Sequence, residues 1–141
     1  MIDVTIRNAT LEDLDSLAQM NLRLYTEGER RREKSIEDLK DRFRYYLTNS
    51  AWNVHIAMID DNDVGYVLWR FEDDDVYIRH IWLHSDYRGR GLSEQVLDIL
   101  TDEFWGTKRL RIQMFATNER MRNYWKLQGF KERSIIMERS N

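Results

Sequence analysis

VYIRHIWLHSDYRGRGLSEQVLDILTDEF, running from Val76 to Phe104, decides how the rest of this 141-residue chain is read. Val76 to Leu83 is apolar or β-branched at most positions, as a mostly buried strand would be. His84-Ser85-Asp86 breaks the run, and Arg88-Gly89-Arg90-Gly91 follows. From there the apolar residues fall at Leu92, Val96, Leu97, Leu100 and Phe104, which is helical spacing. A strand that feeds the N-terminus of a helix makes an anion site. The helix's first N–H groups lack intrahelical partners and point outward, and its dipole favours negative charge. Gly89 and Gly91 let the backbone approach a diphosphate closely, and Arg88 and Arg90 add positive charge. The stretch implies a phosphate-bearing ligand at the start of this helix. R-G-x-G turns also serve as ordinary strand-to-helix connections, and the motif alone does not separate the two readings. It is not a Walker loop, because no Gly-Lys-Ser/Thr follows, nor a dinucleotide fingerprint, because the spaced third glycine is missing.

Working outward, three strands are expected on the N-terminal side of this stretch. Val4 and Ile6 alternate with Thr5 and Arg7; Trp52 to Ile59 alternates Val54, Ile56 and Met58 against Asn53, His55 and Ala57; Val64 to Phe71 follows. Asp60 to Asp63 reads as a hairpin turn and Glu72 to Asp75 as a second, solvated acidic turn. Thr10 with Asp13, and Ser35 with Asp38, look like capping pairs for two helices. The first carries Leu11, Leu14, Leu17, Ala18 and Leu22; the second carries Ile36, Leu39, Phe43, Tyr46 and Leu47. Glu27 to Lys34 has no apolar residue and reads as a solvated loop. On the C-terminal side, Leu110, Ile112 and Met114 alternate with Arg109, Arg111 and Gln113 in a fifth strand. Asn118 caps a fourth helix, and Ile135-Ile136-Met137 makes a last strand. The expectation is an α/β domain spanning 1–141, with a mixed, mostly antiparallel sheet of about six strands flanked by four helices.

Composition narrows the classes. Apolar residues at 42% and charged residues at 33% are ordinary for a soluble globular protein of one domain. No apolar run reaches membrane-span length and no basic-then-apolar leader opens the chain, so membrane association is not expected and the cytoplasm is the expected location. The absence of cysteine excludes disulfides, thiolate metal sites and a cysteine-borne covalent intermediate. A net charge of −3 argues against a general nucleic-acid binder. Three scattered histidines imply no metal, and His55 and His84 read as surface or turn residues.

Two motifs carry a family resemblance. His84-Ser85-Asp86-Tyr87-Arg88-Gly89-Arg90-Gly91-Leu92-Ser93 resembles the acetyl-CoA signature of the GNAT N-acetyltransferase superfamily, Arg/Gln-x-x-Gly-x-Gly/Ala. Arg88, Gly91 and Ser93 stand at its defining positions, Ser93 being a small departure from Gly or Ala. Asn118-x-x-Met121-x-x-Tyr124-Trp125-x-x-x-Gly129-Phe130 is similar to the family's later helix. Element order agrees over nearly the whole chain.

The resemblance implies a GNAT-like (acyl-CoA N-acyltransferase) fold and acetyl-CoA as co-substrate. The acetyl group would pass to a primary amine by direct attack in a ternary complex. It implies that the backbone of Ile81, Trp82 and Leu83 pairs with the pantetheine arm as an added strand. The N–H groups of Arg88, Gly89, Arg90, Gly91, Leu92 and Ser93 would take the diphosphate. Asn118 would lie near the reactive end, with Trp125 among the residues lining the cofactor. The family's general-acid tyrosine falls at Trp125, which has no titratable proton; its neighbour Tyr124 is the candidate left, although one residue turns about 100° around a helix. Family bases on the fourth strand fall at Tyr77 and Arg79. Strict period-two alternation puts Tyr77, Arg79, Ile81 and Leu83 on one face, and His80 with Val76, Ile78 and Trp82 on the other, where it reads as a core histidine. Arg79 cannot be a base, and facing the acceptor it suits a carboxylate or phosphate. After Gly129-Phe130 the chain is short for the family, which leaves a sheet edge open and suggests a homodimer. A non-catalytic acyl-CoA-binding module is the main rival reading, and an assembly domain without a ligand is a third.

Overall fold

The computed structural model describes residues 2–27 and 34–141. Five strands form one sheet in the order β1-β2-β3-β4-β5: Thr5–Asn8 (β1), Asn53–Ile59 (β2), Asn62–Glu72 (β3), Asp75–Leu83 (β4) and Arg109–Ile112 (β5). The first three pairings are antiparallel and β4–β5 is parallel. Four helices flank the sheet: Leu14–Glu27 (α1), Ile36–Thr48 (α2), Leu92–Leu100 (α3) and Glu119–Leu127 (α4). Among the described residues no helix is long and apolar enough to cross a membrane.

Local chemistry explains the boundaries. Thr10 with Asp13 and Ser35 with Asp38 both form reciprocal capping boxes. Asp13 also takes two hydrogen bonds from Arg7, at 3.0 and 2.8 Å, which hold its carboxyl below the usual carboxylate range. With no proline in the chain, aspartates make the hairpins. Asp60 (φ 49°), Asp61 (φ 68°) and Asp73 (φ 54°) adopt the left-handed conformation that a short polar side chain tolerates.

The core has two layers. Leu17 and Met20 of α1 and Phe43 and Tyr46 of α2 pack on Val54, Ile56, Tyr66, Leu68 and Trp82. On the other face Leu92, Val96, Leu97, Leu100 and Trp125 pack on Ala57, Val67, Trp69, Val76, Ile78, Ile81 and Leu83.

Four expectations need correction. First, β4 does not alternate strictly. Leu68 pairs with His80 while the next residue, Trp69, pairs with Ile78, so Arg79 is an extra residue in a β-bulge. The bulge exchanges faces: Ile81 and Leu83 join Val76 and Ile78, whereas His80 and Trp82 lie on the α1–α2 side with Tyr77. Second, Ile135-Ile136-Met137 forms no strand; these residues are 84%, 72% and 89% exposed. Among the described residues the sheet therefore has five strands and ends at β5. Third, His55 is buried, not a surface residue. Fourth, Leu11 lies in a short 3₁₀ turn before α1 and is exposed. Of the expected loop from Glu27 to Lys34, residues 28–33 lie outside the described ones.

Candidate active site

The parallel ladder between β4 and β5 runs from Asp75↔Arg109 to Ile78↔Ile112 and stops there. β4 continues to Leu83, and β5 does not follow. The bulge at Arg79 begins at the same level, and a bulged strand bends and twists away from its neighbour. From Arg79 onward, the edge of β4 turned away from β3 has no strand partner among the described residues. Such an edge can take an extended ligand by main-chain hydrogen bonds. Gly65 keeps β3 close behind it: a Cβ there would stand 2.2 Å from the Trp82 carbonyl oxygen.

The β4–α3 connection supplies the anion site. Ser85–Tyr87 makes one 3₁₀ turn, whose Asp86 N–H donates to His84 Nδ1 at 3.1 Å; His84 is the turn residue the sequence implied. Gly89 (φ 75°) and Gly91 (φ 74°) are left-handed, and a Cβ at either would meet no atom within 4 Å. Gly91 is the N-cap of α3 and offers no side chain to the first-turn amides. Unsatisfied amides facing open space fit an anionic group such as a diphosphate.

The two arginines differ. Arg90 is exposed and makes no ion pair among the described residues. Arg88 is held by the protein itself: its Nε donates to the Leu83 carbonyl at 2.8 Å, and its Nη2 lies 2.8 and 2.6 Å from the two Glu27 carboxylate oxygens. The Trp82 indole N–H donates to the same carboxylate at 3.1 Å. Glu27 is the residue sequence reasoning missed. It stands at the head of an apolar-free run, and only the end of α1 meeting β4 gives it a role.

The expected catalytic residues fall in separate places. The Tyr77 hydroxyl donates to Gln113 Oε1 at 3.0 Å, across the level where β4 and β5 part, with the Arg70 guanidinium 5.5 Å from its ring. The Arg79 side chain is exposed at the bulge and makes no ion pair among the described residues. His80 is buried, its Nδ1 3.1 Å from the Tyr66 hydroxyl, which in turn accepts from Asn21 Nδ2 at 3.1 Å. Burial pushes the Tyr66 phenol well above its ordinary value, so it keeps its proton within this buried Asn21–Tyr66–His80 chain of contacts. That agrees with reading His80 as a core histidine, although its neighbours are Phe43, Tyr25 and Tyr66.

On α4, Asn118 caps the helix by accepting the Met121 N–H at 3.3 Å. Tyr124 is half-buried, edge-on to Trp125 at 4.9 Å. Trp125 is 3% exposed, packs on Phe130, and its indole N–H has no hydrogen-bond partner among the described residues. Tyr124 and Tyr77 therefore approach from opposite layers of the sheet. His55 is unrelated to this site. Its Nδ1 accepts the Trp69 indole N–H at 3.0 Å, and burial lowers its pKa.

A parallel pair that parts beside a glycine-framed, uncapped helix start sets an open strand edge next to an anion site. The chain belongs to the acetyltransferase (GNAT) family, whose model matches residues 14–130, and acetyl-CoA is that family's co-substrate. Solved structures agree on the fold. An acetyltransferase from Thermus thermophilus is 19% identical, with 93% of this chain and 90% of that one covered and a TM-score of 0.75. A ribosomal-protein-alanine N-acetyltransferase from Brucella melitensis biovar Abortus 2308 is 21% identical, with coverage of 99% and 100% and a TM-score of 0.71. An aminoglycoside N-acetyltransferase in complex with CoA is 16% identical, with coverage of 99% and 96% and a TM-score of 0.76. No curated protein matches the sequence.

Proposed function

We propose that this chain, acting as one N-acetyltransferase domain over 1–141, moves an acetyl group from acetyl-CoA to a primary amine by direct attack in a ternary complex. The observation that carries the reading is the parting of β4 and β5 after Ile78↔Ile112, next to the uncapped Gly91 start of α3. Bound acetyl-CoA would supply a thioester carbonyl open to an amine. The free edge of Ile81, Trp82 and Leu83 would align its arm, and the amides of Gly89, Arg90, Gly91, Leu92 and Ser93 would take its phosphates, with the Arg90 side chain as the nearby cation; the Arg88 N–H, expected among them, is instead given to the Ser85 carbonyl at 3.3 Å. Asn118 would stand close to the reactive end. With no cysteine to carry the acetyl group, attack by the amine itself is the simplest route. Arg79 and Tyr77, beside the parting strands, would face the acceptor. An exposed arginine without an ion-pair partner suits an acceptor that carries a carboxylate or phosphate. Neighbours of this fold include enzymes for an aminoglycoside and for a protein's alanine, so fold alone leaves the amine open.

Trp125 supports a second reading, a binding module without turnover. It holds the position of the family's acid, is buried and cannot donate a catalytic proton, and Tyr124 is the alternative donor. Thermal shift with acetyl-CoA tests the cofactor assignment, since a ligand of the folded state must raise Tm. No shift, or an equal shift in Gly91→Glu, overturns it. Thiol release over an amine panel then separates the enzyme from the module. We place the protein in the cytoplasm, as a homodimer that covers the β5 edge.

A further inference from the structure

The contact between Glu27 and the β4–α3 turn joins parts of the molecule that are 61 residues apart in sequence. α1 packs its Leu17 and Met20 on the sheet face that carries Trp82 and Tyr66. Its last residue is Glu27. The Glu27 carboxylate is met by two groups: the Arg88 guanidinium, at 2.6 and 2.8 Å, and the Trp82 indole at 3.1 Å. Arg88 is anchored in turn on the Leu83 carbonyl, and its guanidinium lies 5.8 Å from the centre of the Trp82 ring. The Arg88 and Glu27 side chains are each only 30% exposed, so bulk water screens the pair less than it would a free surface pair. One guanidinium nitrogen meets both carboxylate oxygens, a charge-assisted contact.

We propose that Glu27 is a positioning residue that couples the phosphate-binding turn to the α1 layer. Arg88 acts through Leu83 and Glu27 to hold the turn, and the phosphates are met by the backbone amides and Arg90. An anion arriving at the Gly89–Gly91 turn steadies Arg88. Arg88 then steadies the end of α1, which lies on the same face of β4 as Tyr77 and Trp82. The inference rests on the cofactor reading above, and its physical content is a link between two elements.

The experiment is amide hydrogen exchange on the whole protein with and without CoA, in the wild type and in Glu27→Gln. CoA should slow exchange in the last turn of α1 as well as at residues 85–93 in the wild type. Glu27→Gln should still bind CoA and protect 85–93, while α1 loses that ligand-dependent slowing. A helix merely loosened by the substitution would exchange faster with and without CoA alike and keep the ligand effect. In steady state, Glu27→Gln should raise acceptor KM by about fivefold or more, the lower range of site-to-site coupling, with acetyl-CoA KM nearly unchanged. CoA protection confined to 85–93 in the wild type, or unchanged at α1 in Glu27→Gln, overturns the coupling and leaves the cofactor assignment standing. Absence of CoA protection anywhere overturns both.

Discussion

Among single residues, two glycines act for opposite reasons. Gly65 is a matter of space: its missing Cβ would sit 2.2 Å from the Trp82 carbonyl oxygen, in a backbone that cannot swing aside as a flexible side chain can. Gly65→Ala should destabilise by about 1–3 kcal/mol or more, as overpacked interiors do, and denaturant unfolding measures it. Gly91 is a matter of conformation. At φ 74° with open space around it, Gly91→Ala should cost about 1–2 kcal/mol and still bind coenzyme, whereas Gly91→Glu should fold and lose it. His55 sets a pH dependence. Burial lowers its pKa, and the Trp69 indole occupies the nitrogen that a proton would need. The unfolded state therefore binds the proton more readily. The stability this gives is complete above the unfolded value of about 6.5 and is lost as pH falls through the folded one. Melting curves between pH 7.5 and about 5.5 should show Tm dropping in the wild type and a flatter profile in His55→Gln, itself less stable by about 1–3 kcal/mol for the orphaned Trp69 indole.

Among the secondary-structure elements, the bulge in β4 is the decisive feature. It falls where β4 leaves β5, and it turns His80 and Trp82 toward α1 and α2. Removing Arg79 would bring Ile78 and His80 together opposite Trp69 and Leu68 and keep every later residue on its present face. A chain lacking Arg79 should thus fold with little change in unfolding free energy. With the bend gone β4 and β5 should stay paired further along, and coenzyme affinity should fall by about tenfold or more, which calorimetry would read. If affinity survives the deletion, the bulge does not open the wedge.

For the molecule as a whole, the outer edge of β5 is the surface that matters most. The sheet ends at that strand, and Ile135 to Met137 stand in solvent instead of pairing beside it. An unpaired edge and an exposed apolar segment in one chain complement each other between copies. Sedimentation should find a dimer, and a chain ending at Glu132 should sediment as a monomer with an unchanged far-ultraviolet spectrum. A concentration-independent full-length monomer would remove the dimer.

Much of this architecture was legible beforehand because it is encoded locally. The capping pairs at Thr10 and Ser35, the aspartate turns, the helical spacing from Leu92 and the glycines before it each specify conformation within a few residues. Those signals determined the element order, the helix start that suits an anion, and through them the family. Tertiary structure alone decided the rest. One extra residue opposite β3 reversed the faces of β4, which no alternation rule detects, because a bulge is defined by the partner strand. The ending has a related reason: two isoleucines and a methionine suit a strand, but pairing depends on the path of the chain after α4, which here does not bring them alongside the open β5 edge. Glu27 gained its partners from a helix end meeting a turn 61 residues away, a distance over which sequence carries no signal of contact.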